Sequence, residues 1–356
     1  MKIRKEKDFI SVFDECTGKY IRTGIIKNGK DTGEDPFMSS FPELLDVGIM
    51  GHCTHGRAGL CMKAGTECYQ DGLHSKMADM PVNDFKGIAR QCKDRVYQFA
   101  LGGCGDPDQH GDFEEILQIC CGCGIVPNFT TSGFGMTDSI AALCKKYCGA
   151  VAVSWYRSSY TANAIDMLTQ AGVKTNVHYI LNRDSVAEAL DRLKNKGFPV
   201  GINAVVFLLH KPVGMGTKEK MVPLGDKLFG ELIKYIGSGS LSYKVGFDSC
   251  TVPALVNQPG NINQDSLDTC EGARWSAYIS PDMKMFPCSF DNQEQRWAVD
   301  LRTHTIKEAW ESKQFESFRD CLRNACPCCE KRSACMGGCP IRPEIVMCEK
   351  KHSGGN

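Results

Sequence analysis

The sequence predicts an α/β fold in which repeated βα units form a full or partial barrel, followed by a smaller cysteine-rich domain. From residue 44 to residue 248, short runs rich in β-branched residues alternate with amphipathic helical stretches, and six or seven such units imply a parallel sheet. After residue 249 this alternation stops and the chain becomes rich in turns. Ten of the 21 cysteines then fall in residues 250–348, which predicts a second, metal-organised domain.

We predict four segments: an N-terminal extension (1–43), a barrel (44–248), a cysteine-rich domain (249–349) and a tail (350–356). The predicted barrel strands are the runs LLDVGIM, VYQFAL, GIVPNFT, GAVAVSW, VKTNVHYIL, GINAVVFLL and YKVGF. Between them, apolar residues recur at helical spacings of three and four, as in Val82, Phe85, Ile88 and Cys92, or Ile140, Leu143, Cys144 and Tyr147. Asp112 and Thr137 are predicted helix N-caps. In such a barrel the chemistry lies at the C-terminal ends of the strands.

Composition excludes some functions and favours metal binding. Lysine plus arginine and aspartate plus glutamate both total 42 in 356 residues, so no net field attracts nucleic acid or a membrane surface. The N-terminus lacks the apolar core of a signal peptide, and no apolar run reaches membrane-spanning length. We therefore expect a soluble, cytoplasmic protein. In that compartment thiols stay reduced, so 21 cysteines indicate metal rather than disulfides.

Two groups of cysteines have the spacing of metal ligands. Cys53, Cys61 and Cys68 lie in the stretch GHCTHGRAGLCMKAGTECYQDG directly after the first predicted strand, where disulfides, zinc and an iron–sulfur cluster are the alternatives. The second group exceeds one tetrahedral zinc site, and two [4Fe–4S] clusters would use eight thiolates. Its members are Cys270 and Cys288, the C-x2-C-x5-C-x3-C run of Cys326, Cys329, Cys335 and Cys339, and Cys348. A cysteine-rich zinc module is the alternative.

The second group resembles the SPASM domain of radical S-adenosylmethionine (SAM) enzymes, over about the last 105 residues. YISPDMKMFPCSF also resembles the hairpin that leads to the second cysteine of that domain, with Met283 where a glycine is usual. The resemblance implies two auxiliary [4Fe–4S] clusters. One would use Cys250, Cys270, Cys288 and Cys339, with Cys321 or an open iron site as alternatives to Cys250, and the other would use Cys326, Cys329, Cys335 and Cys348.

The first group is then similar to the cluster loop of radical SAM enzymes. These are six-stranded partial (β/α)6 TIM-type barrels in which three cysteines after the first strand, normally C-x3-C-x2-C, hold a [4Fe–4S] cluster with one iron left for SAM. Here Cys53, Cys61 and Cys68 are spaced C-x7-C-x6-C, and the Cys-aromatic ending is kept by Tyr69. Glycines would let the longer loop fold. They are Gly56, Gly59 and Gly65, and the less favoured substitute ligands are His52, His55 and Cys92.

Segments after the next strands resemble the parts of the family that contact SAM. LGGCGDPDQHGDF resembles the segment that holds the SAM amino group, and NFTTSGFG resembles the one that lines SAM. The implied SAM contacts are Gly102, Gly103, Gly105, Asp106, Thr131, Ser132, Ser154 and Arg157. Asn182 and His210 point toward the same end of the barrel, as ligand contacts or as loop polar residues. We expect Cys144 and Cys148 to be packing residues and Cys120, Cys121 and Cys123 to lie on the far side from the site; Cys16, Cys92, Cys104 and Cys328 have no predicted role.

The resemblance implies a radical SAM oxidative maturase. Its three [4Fe–4S] clusters and SAM would generate a 5′-deoxyadenosyl radical that abstracts hydrogen from a peptide or protein, with a flavodoxin or ferredoxin as reducing partner. The alternatives are a radical SAM dehydrogenase of a small alcohol or of a sulfatase-type residue, and a non-catalytic electron carrier or zinc scaffold. Ser289 stands where the sulfatase branch has an aspartate, which disfavours that branch. The 43-residue extension is shorter than the winged-helix leader-binding domain of many crosslinking maturases.

Overall fold

The computed structural model describes residues 1–239, 241, 243–257, 262–263 and 266–349. The predicted tail, residues 350–356, lies outside the described residues. Within the described ranges, no helix combines the length and the apolar character needed to cross a membrane.

The N-terminal extension forms an antiparallel sheet of β1 (Lys2–Lys5), β2 (Ile10–Phe13) and β3 (Tyr20–Arg22), followed by a hairpin of β4 (Ile26–Lys27) and β5 (Lys30–Asp31). The sheet packs at the N-terminal end of the barrel. Phe13 stacks on Tyr97 with ring centroids 5.3 Å apart, and Ser11 Oγ donates a hydrogen bond to Glu43 Oε1 at 2.8 Å. The extension, whose role the sequence left open, therefore covers the barrel end opposite to the strand tips.

The barrel wall in the described residues consists of seven parallel strands, which lie on the seven predicted runs. The strands are β6 (Leu44–Met50), β7 (Gln98–Gly103), β8 (Val126–Thr131), β9 (Ala150–Ser154), β10 (Thr175–Leu181), β11 (Ala204–Leu209) and β12 (Lys244–Phe247). Each pairs in parallel with its neighbour in chain order, as expected for βα units. The predicted α/β partial barrel is confirmed.

The helices of this part follow the strands as the periodicity predicts. They are α1 (Thr54–Arg57), α2 (Leu60–Lys63), α3 (Val82–Cys92), α4 (Phe113–Gly122), α5 (Asp138–Tyr147), α6 (Ser159–Gln170), α7 (Val186–Lys194) and α8 (Lys227–Gly237). In α3 the predicted face of Phe85, Ile88 and Cys92 is fully buried. Thr137 caps α5, since its side chain accepts a hydrogen bond from Ile140 N at 3.3 Å. Asp112 occupies the N-cap position of α4 but makes no capping hydrogen bond.

The C-terminal part adds to the barrel sheet instead of standing apart from it. It contains α9 (Val252–Leu255), β13 (Ser276–Ile279), β14 (Lys284–Phe286), β15 (Val299–Asp300), α10 (Ile306–Trp310), α11 (Lys313–Asn324) and α12 (Arg332–Cys335). β13 pairs in parallel with β6, so one ten-stranded sheet runs in the order β12-β11-β10-β9-β8-β7-β6-β13-β14-β15. The sheet therefore crosses the predicted boundary at residues 248/249.

One expectation for the C-terminal part was wrong. The turn-rich sequence after residue 249 predicts no long helix, yet α11 is twelve residues long. Its Phe315, Phe318 and Leu322 are buried at spacings of three and four, and the Ser312 side chain caps its start by accepting a hydrogen bond from Phe315 N at 3.3 Å. An amphipathic helix therefore lies in the middle of the cysteine-rich part of the chain.

Candidate active site

A cavity of about 520 Å³ opens at the C-terminal ends of the barrel strands. Its walls come from three parts of the chain: the loop after β6, the tips of the following strands, and the segment around β13 and β14. This is the end of a parallel barrel at which side chains from consecutive βα loops converge. The C-terminal part thus closes the side of the barrel that seven strands leave open.

The three cysteines of the first loop line this cavity. Cys53 is the N-cap of α1, where its Sγ accepts a hydrogen bond from Gly56 N at 3.0 Å. Cys61 lies in α2, and Cys68 lies close enough to both Cys53 and Cys61 to interact electrostatically with each thiol. The structure therefore brings together the three thiols that the sequence singled out.

Glycine allows the longer loop to fold, as predicted. Gly59 and Gly65 have φ values of 66° and 70°, in the left-handed region that disfavours other residues. A Cβ atom added to Gly56 would lie 2.5 Å from the carbonyl oxygen of Gly72. The loop closes on itself through this contact and keeps Cys53 and Cys68 at the cavity wall.

The glycine-rich segment after β7 packs directly on the cysteine loop. A Cβ atom added to Gly105 would lie 2.1 Å from the carbonyl oxygen of His52, and one added to Gly103 would lie 2.3 Å from that of Met50. Gly103 also has φ 110°. These contacts hold the segment of Gly102, Gly103, Gly105 and Asp106 at the cavity, and all four residues line it.

Asp106 is the acidic end of that segment, and Ser132 anchors it. Its carboxylate accepts hydrogen bonds from Ser132 N at 2.7 Å and from Ser132 Oγ at 2.5 Å. Burial raises the pKa of Asp106 to about 6, while the Ser132 bonds act in the opposite direction. Thr131 and Ser154 line the same wall, so the structure gathers these predicted SAM contacts in one place.

Arg157 is the exception among the predicted SAM contacts. It is not among the described lining residues of the cavity. Its Nε donates to Glu188 Oε2 at 2.6 Å and its Nη2 donates to the Tyr179 hydroxyl at 3.1 Å. The structure thus assigns Arg157 an ion pair on the outer side of β10, with a backbone φ of 55°, in place of the predicted contact.

The predicted first auxiliary set also lines the cavity. Cys250, Cys270, Cys288 and Cys339 face it from the C-terminal part. Cys288 interacts electrostatically with Cys270 and Cys339, and Cys250 interacts with Cys288 and Cys339. Burial raises the pKa of Cys250, Cys270 and Cys288, and the value for Cys270 is about 12. Cys321, the alternative to Cys250, is not among the described lining residues, and its Sγ lies 3.4 Å from the Ser317 carbonyl oxygen.

The predicted second auxiliary set gathers around Cys335. That buried thiol interacts electrostatically with Cys326, Cys329 and Cys348. None of the four is among the described residues that line the cavity. This set therefore lies apart from the loop cysteines and from the first auxiliary set. The chain thus holds three separate groups of thiols, and the middle group shares the cavity with the loop after β6.

The donor sets suit iron–sulfur clusters better than single ions. Among the described residues, no group of three or more His, Cys, Asp or Glu side chains is arranged around one ion. A cluster sets a different requirement, because each thiolate binds a different iron and the sulfur atoms stand apart by the width of the cube. The thiols whose pKa burial raises would each release a proton when iron binds, because iron stabilises the thiolate form. Three cysteine groups of this kind fit the implied clusters.

Two residues near these cysteines were not predicted from the sequence. Tyr156 follows β9, lines the cavity and interacts electrostatically with Cys53, Cys61, Cys68 and Asp106. Lys211 forms an ion pair with Asp248 and interacts with Cys250 and Cys288. Both residues stand at strand ends, which is the signal that could have identified them.

The remaining candidate residues take ordinary structural contacts. His55 Nε2 lies 2.7 Å from the Tyr160 hydroxyl, and His52 pairs with Asp79. Asn182 accepts hydrogen bonds from Asp184 N and Ser185 N within its own loop. His55 and His210 also line the cavity.

The other cysteines on the outer helices pack together away from the cavity. Cys144 is fully buried and interacts with the Cys148 thiol, in agreement with the predicted packing role. Cys120 interacts with Cys92 and with its neighbours Cys121 and Cys123. None of these cysteines is among the described lining residues of the cavity.

Comparison with known proteins identifies the fold. No family model and no curated protein sequence matches this chain. Among solved structures, Streptococcus suis SuiB bound to precursor peptide SuiA aligns with 98% of this chain and 97% of its own, with a TM-score of 0.68 and 14% identity. SuiB bound to S-adenosylmethionine aligns with 88% and 78%, with a TM-score of 0.65 and 16% identity. Native anSMEcpe with bound AdoMet aligns with 86% and 91%, with a TM-score of 0.60 and 16% identity.

At these identities the likeness establishes a shared fold. The chain has the fold of these SAM-bound proteins, as the resemblance to radical SAM enzymes with a SPASM domain predicted.

Proposed function

We propose that this protein is a radical SAM oxidative maturase that acts on a peptide. One observation carries the proposal: a single cavity is lined by the Cys53, Cys61 and Cys68 loop, by the glycine-rich segment ending in Asp106, and by four cysteines of the C-terminal part. A zinc scaffold or electron carrier has no need for a cavity between its metal sites. A SAM-dependent oxidation needs both sites beside one substrate.

In this proposal Cys53, Cys61 and Cys68 hold one [4Fe–4S] cluster and the two C-terminal sets hold two more. When bound, the loop cluster would supply the electron that splits the S–C5′ bond of SAM into methionine and a 5′-deoxyadenosyl radical. A flavodoxin or ferredoxin would be the external reductant.

The chain's own residues bind SAM and orient it. The backbone of Gly102, Gly103 and Gly105 and the carboxylate of Asp106 receive the SAM amino group, and Ser132 holds that carboxylate in place through two hydrogen bonds. Thr131 and Ser154 complete the polar wall. The tyrosine at 156 covers the thiols and keeps water away from the reacting bond.

The substrate enters between the loop cysteines and the C-terminal cysteines. A hydrogen atom would leave the substrate for the radical, and a cluster held by Cys250, Cys270, Cys288 and Cys339 would accept the electron that the substrate radical gives up, so the product would be oxidised. SuiB bound to a precursor peptide and anSMEcpe bound to AdoMet and the Cp18Cys peptide support a peptide as the substrate class. The identity of the bound peptide would determine which bond forms in the product.

Metal analysis and SAM cleavage test the proposal. Anaerobically purified protein should contain about twelve irons per chain, as three clusters require, and should form 5′-deoxyadenosine with dithionite and SAM. Simultaneous replacement of Cys53, Cys61 and Cys68 by alanine should remove about four irons and abolish 5′-deoxyadenosine. Replacement of the exposed Cys16 is the matched control and should change neither value. Two or three zinc ions without iron, or undiminished cleavage in the triple variant, would reject the proposal.

A further inference from the structure

A fourth thiol, Cys104, lies beside the cysteine loop and has no role in the function proposed above. It lines the cavity from between Gly103 and Gly105. Its thiol interacts electrostatically with Cys68, and Cys53 interacts with both Cys68 and Cys104. Three thiols on two different segments therefore stand within range of one another at the cavity wall.

Backbone packing keeps Cys104 at this position. Its N donates a hydrogen bond to Met50 O at 2.8 Å, at the tip of β6. A Cβ atom added to Gly105 would lie 3.3 Å from Cys53 Cα, and one added to Gly72 would lie 3.4 Å from both Cys53 Sγ and the Cys104 carbonyl oxygen. The absence of side chains at these glycines is what allows the Cys104 segment and Cys53 to approach closely.

The Cys104 thiol has two polar neighbours in the protein, the Gln70 carbonyl oxygen and Ser75. Its Sγ donates to the Gln70 carbonyl oxygen at 3.4 Å, and the thiol remains partly exposed to the cavity. Other cysteines outside the three sets, such as Cys92 and Cys144, are fully buried among the outer helices. What distinguishes Cys104 is its place at the cavity wall beside the three loop cysteines, since none of the cysteines on the outer helices is among the described residues that line the cavity.

We propose that Cys104 is the resting ligand of the iron that SAM occupies, and that SAM displaces it. The inference rests on the proposed function, because it needs a cluster in the Cys53, Cys61 and Cys68 loop. In the exchange the Fe–S bond to Cys104 breaks and the SAM amine binds the iron. The proton that the SAM ammonium loses passes to the departing thiolate, so charge and atoms balance and no electron is transferred.

A thiolate from Cys104 would protect the iron that SAM binds. An iron without a protein ligand is the one most easily lost to solvent or chelator, and a thiolate would retain it until SAM arrives. Cys104 lies two residues before Asp106, in the same segment that would receive the SAM amino group. Binding of SAM and release of Cys104 therefore occur on one short stretch of backbone.

Iron retention and SAM affinity test the inference without any peptide substrate. Reconstituted wild-type protein, Cys104→Ala and the control Cys16→Ala are exposed to EDTA anaerobically, with and without SAM. Without SAM, Cys104→Ala should lose about one iron per chain and develop a [3Fe–4S] electron paramagnetic resonance signal, whereas the other two proteins keep theirs. SAM should protect all three. Cys104→Ala should also bind SAM about tenfold more tightly if the thiolate occupies nine tenths of the sites in the wild type.

The outcomes separate this inference from the proposed function. Equal iron retention and equal SAM affinity in Cys104→Ala and wild type would overturn it. So would complete loss of the loop cluster in Cys104→Ala with normal assembly in Cys61→Ala, because Cys104 would then be a permanent ligand. If the triple variant of Cys53, Cys61 and Cys68 retains all of its iron, the proposed function itself fails. Unchanged iron at the two C-terminal sets shows that each variant is folded.

Discussion

At the scale of single residues, the site depends on close backbone contacts that glycine alone permits. The segment from Gly103 to Asp106 rests on the carbonyl groups of Met50 and His52. Any side chain at these glycines would collide with backbone atoms, which cannot move without displacing the cysteine loop. The carboxylate of Asp106 and the thiol of Cys104 owe their positions to these contacts.

Replacement of Gly105 by alanine should therefore weaken SAM binding by at least about tenfold, since the added methyl group would lie 2.1 Å from the His52 carbonyl oxygen. Equilibrium dialysis with labelled SAM measures this. Gly111→Ala is the matched control, because a Cβ atom there meets no atom within 4 Å. Wild-type affinity in Gly105→Ala would show that the segment does not hold SAM.

At the scale of secondary-structure elements, two buried arginines connect segments of the C-terminal part with one another and with the N-terminal extension. Arg319 of α11 donates from Nε to the Ala273 carbonyl oxygen at 2.7 Å and from Nη2 to that of Trp310 at 2.8 Å. Arg274 donates to the carbonyl oxygens of Phe37 and Cys270. These guanidinium groups satisfy carbonyl groups at the ends and turns of elements, where no sheet or helix partner is available.

Arg319→Met should destabilise the protein by about 3 kcal/mol, because it leaves two buried carbonyl groups without donors. Urea unfolding followed by the fluorescence of buried Trp310 measures the change. Arg302→Met is the control, because that side chain is 58% exposed. Arg319→Lys, which keeps the charge and one donor position, should recover part of the loss. Equal stability of Arg319→Met and wild type would contradict this role of α11.

At the scale of the whole molecule, one sheet unites the barrel and the C-terminal part. β6 lies between β7 and β13, and Asp46 of β6 is in register with Ala100 on one side and Tyr278 on the other. The Asp46 carboxylate lines the cavity and interacts electrostatically with Tyr69 and Tyr278. Burial alone raises its pKa to about 7.

The contribution of Asp46 to the stability should therefore fall as pH rises. The unfolded state ionises Asp46 near its ordinary pKa of 3.8, whereas the folded state holds the proton until about pH 7. The folded state thus binds more protons between these values, and the stabilising contribution at low pH is lost as pH rises through 7. Between pH 5.5 and 8, wild type should lose about 2 kcal/mol relative to Asp46→Asn.

Urea unfolding of both proteins at the two pH values measures this difference. Asp166→Asn, a change at an exposed position of α6, is the control and should track wild type at both pH values. A gap between wild type and Asp46→Asn that stays constant with pH would contradict the assignment.

Local patterns were sufficient to predict the barrel and the end of it at which the cavity opens. The strands of the barrel are short runs that recur between helical stretches, and residues that follow the strands or end them, such as Gly102, Asp106 and Thr131, lie at one end of the barrel. The resemblance to the SPASM domain, rather than spacing, implied that Cys348 joins Cys326 and Cys329 around Cys335. Arg157 stood at a strand end too, but its partner Glu188 lies 31 residues away, and no local pattern reports such a pair.

The sequence by itself determined the α/β class, the order of the strands, the loop that carries three thiols and the end of the barrel at which they meet, because each of these follows from local periodicity or spacing. Only the tertiary structure decided that β13 completes the barrel sheet, that four C-terminal cysteines share the cavity of the first loop, and that Cys104 and Asp46 face it. These features depend on contacts between segments far apart in the chain, where packing selects one arrangement from many that the local sequence allows.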